Sequence, residues 1–376
     1  MNEFVPPFCA NPRCPHHLHT PQNPYRDYLR WGSYRSRVNG EVPRYRCRVC
    51  GKTFSRQTFR VDYWVKRRIG YAGVMERLAS CSSVRAMGRV YGVAGQTIQN
   101  RIGRGARQVL AFESRQGVLR HPEEDVVADG FESYCGSQYF PNNIQLLVGS
   151  RSQFVYEVEY AGLRRKGRMT ERQKARRAEL EQRYLPERGE LGTTFVRLLE
   201  TGLSILSDGG MAGLTLWTDE KLEYRRALRG CELGAALEDA GRLVHRRIPS
   251  RRARTVHNPL FPVNYLDREL RKDLHEHVRE STCFGRNVNA QMERLVLYLY
   301  YHNYRKPHRA RGDPRSHAEL AGSCMEAVHE DEKRLWEDRA WLSRTELSPS
   351  GRETWLRLRR TPLKEGPEHA PRYVAA

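Results

Sequence analysis

Hydrophobic positions along the chain follow two periods, and each change of period marks an element. Four stretches carry the short apolar runs of buried strands. They are residues 126–128 (Val-Val-Ala), 143–149, 213–219 (Gly-Leu-Thr-Leu-Trp-Thr-Asp) and 243–249. A fifth, residues 153–160, alternates, with Phe154, Tyr156, Val158 and Tyr160 on one face. Short polar turns between 126–128, 143–149 and 153–160 predict a three-stranded antiparallel meander. Helical spacing appears elsewhere. Residues 74–79 predict a first helix. A second begins at the N-cap Ser83, carries Val84, Met87 and Val90/Tyr91, and stops at Gly92. A third starts at Gly95 and runs through Ile98 and Ile102, with Gln96, Thr97, Gln99, Asn100, Arg101 and Arg104 facing outward. Residues 264–274 predict a helix just after Pro262, with Asp267 in its first turn. Residues 288–301 predict an apolar helix packed under the sheet through Met292, Leu295, Val296 and Leu299. Residues 320–358, with Trp336, Trp341 and Trp355, predict further helix, and 360–376 a flexible end.

The pattern divides the 376 residues into four parts: 1–60, 61–118, 119–312 with a basic helical insertion at 163–206, and a helical tail at 313–376. The fold class is α/β (α+β). Charge changes this picture most in the first third. Residues 1–120 hold 22 Lys and Arg against 6 Asp and Glu, so most of the net charge of +21 sits there. A polyanion partner held by the N-terminal part follows, nucleic acid first. No long uninterrupted apolar run predicts a membrane span, and no basic-then-apolar leader predicts secretion, so a cytoplasmic, nucleoid-associated protein is expected.

Nine cysteines, an odd number, argue for a metal site over a disulfide framework. Cys9 and Cys14 form one short pair, Cys47 and Cys50 the other, the second followed by Gly51 and Lys52. Four thiolates complete a tetrahedral Zn²⁺ shell with no open position, which is a structural site. His16, His17 and His19 are alternative ligands to one cysteine. Tyr28, Trp31, Tyr34 and Tyr45, interleaved with Arg, predict a small β-ribbon whose core the metal staples. The 83–102 segment reads as a helix-turn-helix whose outward polar residues reach base edges and phosphates of double-stranded DNA. Arg104, Arg107 and Arg115 extend its phosphate-facing side.

Three carboxylates carry the chemistry. Asp129 and Asp219 each close an apolar strand, and Asp267 sits on the helix that follows the last strand. Such a set holds two Mg²⁺ or Mn²⁺ ions through hard oxygen ligands. Paired divalent ions stabilise both the attacking and the leaving oxygen of a phosphodiester. Glu269 and Glu280 are alternatives for the third acid. Arg271 and His277 are candidate contacts to the scissile strand. The bland reading of the same acids is an N-cap at Asp219 and an i,i+4 pair of Asp267 with Arg271.

The stretch Ala128-Asp-Gly-Phe-Glu-Ser-Tyr134, the Thr218-Asp-Glu220 acid and the run from Phe261 through Asn264-Tyr-Leu-Asp267-Arg268 to His302-Asn-Tyr-Arg-Lys-Pro-His308 resemble bacterial insertion-sequence transposases of the DDE class. The resemblance covers residues 9 to about 310. It implies a zinc ribbon at 1–60, a helix-turn-helix at 61–118 and a ribonuclease-H-like catalytic domain at 119–312. It also implies Mg²⁺-dependent cleavage and strand transfer at the ends of a mobile element by a homodimer or higher oligomer on DNA. The family has Glu where this chain has Asp267, an arm shorter by one methylene. Two other functions fit the residues: a zinc-ribbon and helix-turn-helix transcriptional regulator without catalysis, and a plain Mg²⁺ nuclease.

Overall fold

The computed structural model describes residues 4–19, 23–208, 213–278, 283–309 and 311–364. It is a mixed α/β protein with two sheets. The N-terminal sheet is antiparallel, in the order β1 (Tyr28–Ser36), β2 (Gly40–Cys47), β3 (Thr53–Ser55). The larger sheet has five strands: β4 (Val126–Cys135), β5 (Ser137–Gly149), β6 (Val155–Gly162), β7 (Leu214–Asp219) and β8 (Leu243–Ile248), in the spatial order β6-β5-β4-β7-β8. The first three form the expected antiparallel meander, and β7 and β8 then add in parallel beside β4. Parallel addition needs a crossover. Residues 163–213 provide it through α4 (Glu171–Glu181) and α5 (Glu190–Asp208).

Two expectations about the strands change. β4 does not stop at Asp129; it runs six residues further because β5 stays paired with it from Val126↔Gly149 to Tyr134↔Pro141. Gly130 permits this, since the Asn143 side chain crosses its backbone and a Cβ there would lie 2.0 Å from Asn143 Oδ1. The alternation read along 153–160 is not the burial pattern either. Both faces of β6 are buried, Val155 and Ala161 along with Tyr156, Val158 and Tyr160. α5 covers β5 and β6 and the helix Pro349–Leu356 also packs on β6, while α8 (Phe261–Asp273) packs on β4 and β5.

Between the sheets lie α1 (Tyr71–Ala79), α2 (Val84–Val90) and α3 (Gly95–Val118). Ser83 caps α2, its Oγ accepting from the Ala86 amide at 3.2 Å, a bond worth about 1 kcal/mol. Gly92, at φ +62°, makes the turn. α3 does not end near Ile102 but continues to Val118, because α9 (Val288–Tyr300) lies along it. This is where the apolar 288–300 helix goes: its main partner is α3 rather than the underside of the sheet, and Phe112 meets Tyr300 edge-on. α6 (Leu222–Gly230) and α7 (Glu232–Asp239) link β7 to β8 and pack on α5.

The C-terminal part does not stand apart. After α10 (Met325–Leu335), Val61 donates its amide to the Glu337 carbonyl at 2.9 Å and Arg339 donates to that of Phe59 at 2.8 Å. The Arg339 guanidinium lies between the Tyr63 and Trp341 rings, and Trp341 joins the aromatic cluster of the N-terminal sheet. After α11 (Pro349–Leu356), Arg359 and Asn289 exchange hydrogen bonds of 3.0 and 2.8 Å.

Candidate functional site

The fold gathers two clusters of candidate side chains, and among the described residues only the N-terminal one brings three or more ligand atoms within 4.8 Å of one another. Cys9 and Cys14 flank a short loop, while Cys47 ends β2 and Cys50 follows it. Gly51 at φ +70° lets the chain fold back, its amide donating to the Cys47 carbonyl at 2.9 Å. The sulfurs of Cys9 and Cys50 lie 3.5 Å apart, those of Cys14 and Cys47 3.9 Å, and all four fall within 4.8 Å of one another. Cys50 is exposed and the other three are buried. This arrangement is consistent with a structural Zn²⁺ site. His17 is not an alternative ligand: both its ring nitrogens are engaged at 2.6 Å, Nδ1 with the Cys9 carbonyl and Nε2 with Ser343 Oγ. Burial, and the neighbouring Arg344 charge, keep it neutral, its pKa below the ordinary value.

The second cluster lies on the large sheet. Because β4 and β7 run parallel with Val127 opposite Trp217, Asp129 and Asp219 emerge at the same level of adjacent strands. Lys221, the N-cap of α6, places its ammonium between them, 3.3 Å from Asp129 Oδ1 and 3.4 Å from Asp219 Oδ2. Tyr224, one turn into α6, donates its hydroxyl to Asp129 Oδ1 at 3.0 Å, and the Lys221 amide donates to Asp219 Oδ1 at 2.8 Å. Burial raises the Asp219 pKa, as does the negative charge of Asp129, while Lys221 opposes the shift. Burial works against the Lys221 ammonium, yet the two carboxylates hold its pKa above the ordinary value.

Asp267 sits in the second turn of α8, not the first, because the helix already starts at Phe261 with Pro262 in its first turn. One of its carboxyl oxygens, Oδ1, is fully buried without a hydrogen bond. Burial pushes its pKa up to about 7, and the charge of Asp129 adds to the shift. The charges of Arg271, Arg254 and Lys221 oppose the shift. Of the alternatives, Glu269 turns the other way, bonded to Lys272 Nζ at 2.8 Å and to Lys306. Burial is outweighed there, and the two lysines hold its pKa below the usual range. Glu280 lies outside the described residues. His277 is buried rather than turned toward a substrate, with Nδ1 3.1 Å from Ser133 Oγ and its ring against Phe131. Arg271 stacks on Phe131 from the exposed side of α8.

On α3 the outward placement expected for two arginines does not hold. Arg101 donates to Tyr71 Oη at 3.2 Å and the Arg67 carbonyl at 2.6 Å; Arg104 donates to the Val61 carbonyl at 2.7 Å and lies over Tyr63. Arg107 forms a buried ion pair with Glu293 at 3.0 Å. Arg115 pairs with Asp331 at 3.0 Å. The segment 56–70 packs across this side of α3, and its unsatisfied carbonyls draw the guanidinium groups inward. Charge-assisted bonds of this kind contribute roughly 1.5–3 kcal/mol each. Gln99 also turns toward Glu293 and Arg294. Gln96, Thr97 and Asn100 keep the outer position, Gln96 donating to Asn100 Oδ1 at 3.0 Å. In the basic 164–177 run, Arg164 pairs with Glu181 at 2.8 Å and Arg176 with Glu179 at 2.5 Å.

Sequence reasoning missed Lys221 and Tyr224. The only available signal was their position, two and five residues after the strand-end Asp219, on the first turn of the helix it opens. Among the described residues, no helix is long and apolar enough to cross a membrane. No protein-family model matches the chain, and a search of curated proteins finds no match.

Proposed function

We propose that this protein is a DDE-type DNA transposase: it binds the ends of a mobile element and catalyses Mg²⁺-dependent cleavage and strand transfer. The observation that carries the reading is the pairing of Asp129 with Asp219 on adjacent strands, with Asp267 near enough for the Asp129 charge to raise its pKa. Two acids from adjacent strands share one cationic group, and the third offers a buried oxygen with no partner. A transcriptional regulator has no use for two carboxylates side by side on adjacent strands, with a third buried nearby, at a cost in burial and repulsion. An antiparallel trio extended by two parallel strands, with Asp129 and Asp219 on the adjacent strands β4 and β7, supports a ribonuclease-H-like reading of the sheet.

The residues fit divalent ions. Asp129, Asp219 and Asp267 are hard oxygen donors, and Mg²⁺ completes its shell with water. Bound there, Mg²⁺ lowers the pKa of the attacking water or 3′-hydroxyl and stabilises the leaving oxygen. The protein's own part is positional. β4 and β7 fix two carboxylates on a rigid sheet. Tyr224 holds the Asp129 carboxylate in orientation by its 3.0 Å bond, and the Lys221 amide does the same for Asp219. Lys221 Nζ is a positive charge beside the site, able to meet a phosphodiester oxygen. The four-cysteine cluster holds Zn²⁺ as a staple of the N-terminal sheet. α2 and α3 form the helix-turn-helix, which reads DNA through Gln96, Thr97 and Asn100.

Purified full-length protein and a duplex carrying the element's terminal repeat test this. Asp129→Asn should reduce Mg²⁺-dependent nicking at least about a hundredfold and leave duplex affinity within about twofold. Equal loss of nicking and binding, or nicking that survives the substitution, overturns the assignment.

A further inference from the structure

Arg101 carries a buried charge, and among the described residues no carboxylate pairs with it. It is 4% exposed. Its bonds run to neutral oxygens, Tyr71 Oη and the Arg67 carbonyl, and its Nε is buried without a hydrogen bond. Asp62 lies near enough for Tyr71 to feel its charge, but Arg60 pairs with that carboxylate at 3.5 Å. A charge buried away from any opposite charge is costly, and an anion from outside relieves the cost.

Arg101 lines a hollow of about 500 Å³ between the stretch Trp64 to Arg67 and the α2–α3 turn. Lys66, Arg67, Arg101 and Arg104 bring four cations to its walls, and among the described residues no carboxylate lines it. Lys66 and Arg67 are exposed, so the hollow opens at the surface. The stretch is pinned to its neighbours. Arg67 donates to the Gly92 carbonyl at 2.7 Å, and its own carbonyl accepts from Arg101 at 2.6 Å. Ala94, also on the wall, precedes α3 without a side-chain cap, and the first turn of α3 holds no acid. The positive end of the helix dipole therefore adds to the field. Trp64, on the same wall, is 69% exposed and held at φ +59°. A left-handed backbone under so bulky a side chain is strained, and it persists only where the surroundings impose it.

Thr97 and Asn100 belong both to this hollow and to the outer face of α3. A recognition helix that enters a major groove brings the residues beside it against the sugar-phosphate strand at the groove's edge. We propose that the hollow seats a backbone phosphate of duplex DNA. Lys66 and Arg67 meet the phosphate, the buried Arg101 charge stands in the wall, and Trp64 packs on the adjoining deoxyribose. This rests on the helix-turn-helix reading and extends it: the backbone contacts come from residues ahead of α1, not from an arginine face of α3.

The probes are two fluorescein-labelled duplexes of equal length, one carrying the terminal repeat and one of unrelated sequence, titrated with full-length zinc-loaded protein. Lys66→Ala with Arg67→Ala should weaken both duplexes alike. It should also reduce the slope of log affinity against log salt by about 0.9 for each phosphate no longer neutralised. Lys66→Ala alone, which leaves the Arg67–Gly92 bond in place, should move both readings in the same direction. Trp64→Ala should weaken both duplexes about tenfold, and Trp64→Phe should recover most of that loss. Asn100→Ala should instead weaken the repeat alone, because base contacts carry sequence preference. Retained zinc and an unchanged melting temperature show that each variant is folded. If folded Lys66→Ala and Trp64→Ala bind both duplexes as the parent does, or lose affinity for the repeat alone, the proposal is overturned. Loss of repeat preference in Asn100→Ala would then leave the helix-turn-helix reading standing. A parent that binds neither duplex overturns both. None of these results touches the carboxylate site, whose own test is Asp129→Asn.

Discussion

The thiol cluster and the carboxylate cluster solve opposite problems. Four sulfurs lie within 4.8 Å of one another, a spacing consistent with a closed shell around a structural Zn²⁺. Three carboxylates cannot do this. Two are separated by the Lys221 ammonium, and the third has its pKa driven up by burial and by Asp129. The first arrangement is closed and exists to hold a fold. The second leaves charge uncompensated, as the proposed catalytic role requires.

The comparison can be broken most severely at the thiols. Cys47→Ala should remove a structural zinc whose binding is worth on the order of 10 kcal/mol in small metal-stapled domains. The N-terminal sheet should lose its protection from amide exchange, while Mn²⁺ binding at the carboxylates persists; loss of both together would mean that the two sites are one folding unit.

A second, smaller effect separates the sites by pH. Asp267 has a folded pKa raised to about 7, so the folded state holds a proton that the unfolded chain releases near the ordinary carboxylate value. Stability contributed by that protonated form is present at low pH and falls as pH rises toward 7. Without divalent ions, Asp267→Asn should therefore gain thermal stability over the parent at pH 8 and show little difference at pH 4. Mn²⁺ affinity of the parent should increase between pH 6 and 8. A flat profile would remove Asp267 from the site.

The smallest effect is at Lys221. A bound divalent ion must displace its ammonium, so Lys221→Met should tighten Mn²⁺ binding about threefold to tenfold, the energy of one partly exposed ion pair. Titration calorimetry or electron paramagnetic resonance reads this directly. Weaker binding in the variant would instead make Lys221 a support for the metal shell.

Much of this was legible from residue order because it is local. Cysteine spacing, the Ser83 cap, the Gly92 turn and the strand ending in Asp219 are each set within a few residues. What could not be read depends on distant partners. Arg101 and Arg104 have the composition of a DNA-facing helix, and only segment 56–70, packed across α3, turns them inward. Asp129 lies mid-strand because β5 is long enough to keep pairing past it. The tail reads as further helix and no more, since nothing in residues 336–361 names the elements they touch.

Those residues join the molecule's two ends. Ser343 bonds His17 beside the cysteines, Arg344 bonds the His17 carbonyl, and Arg359 locks onto Asn289 on α9. During synthesis this clasp leaves the ribosome after every element it fastens. The cysteine loops emerge long before Trp341 completes their aromatic cluster, so a product cut short near residue 335 would carry the acids and the cysteines yet leave the N-terminal sheet unfastened.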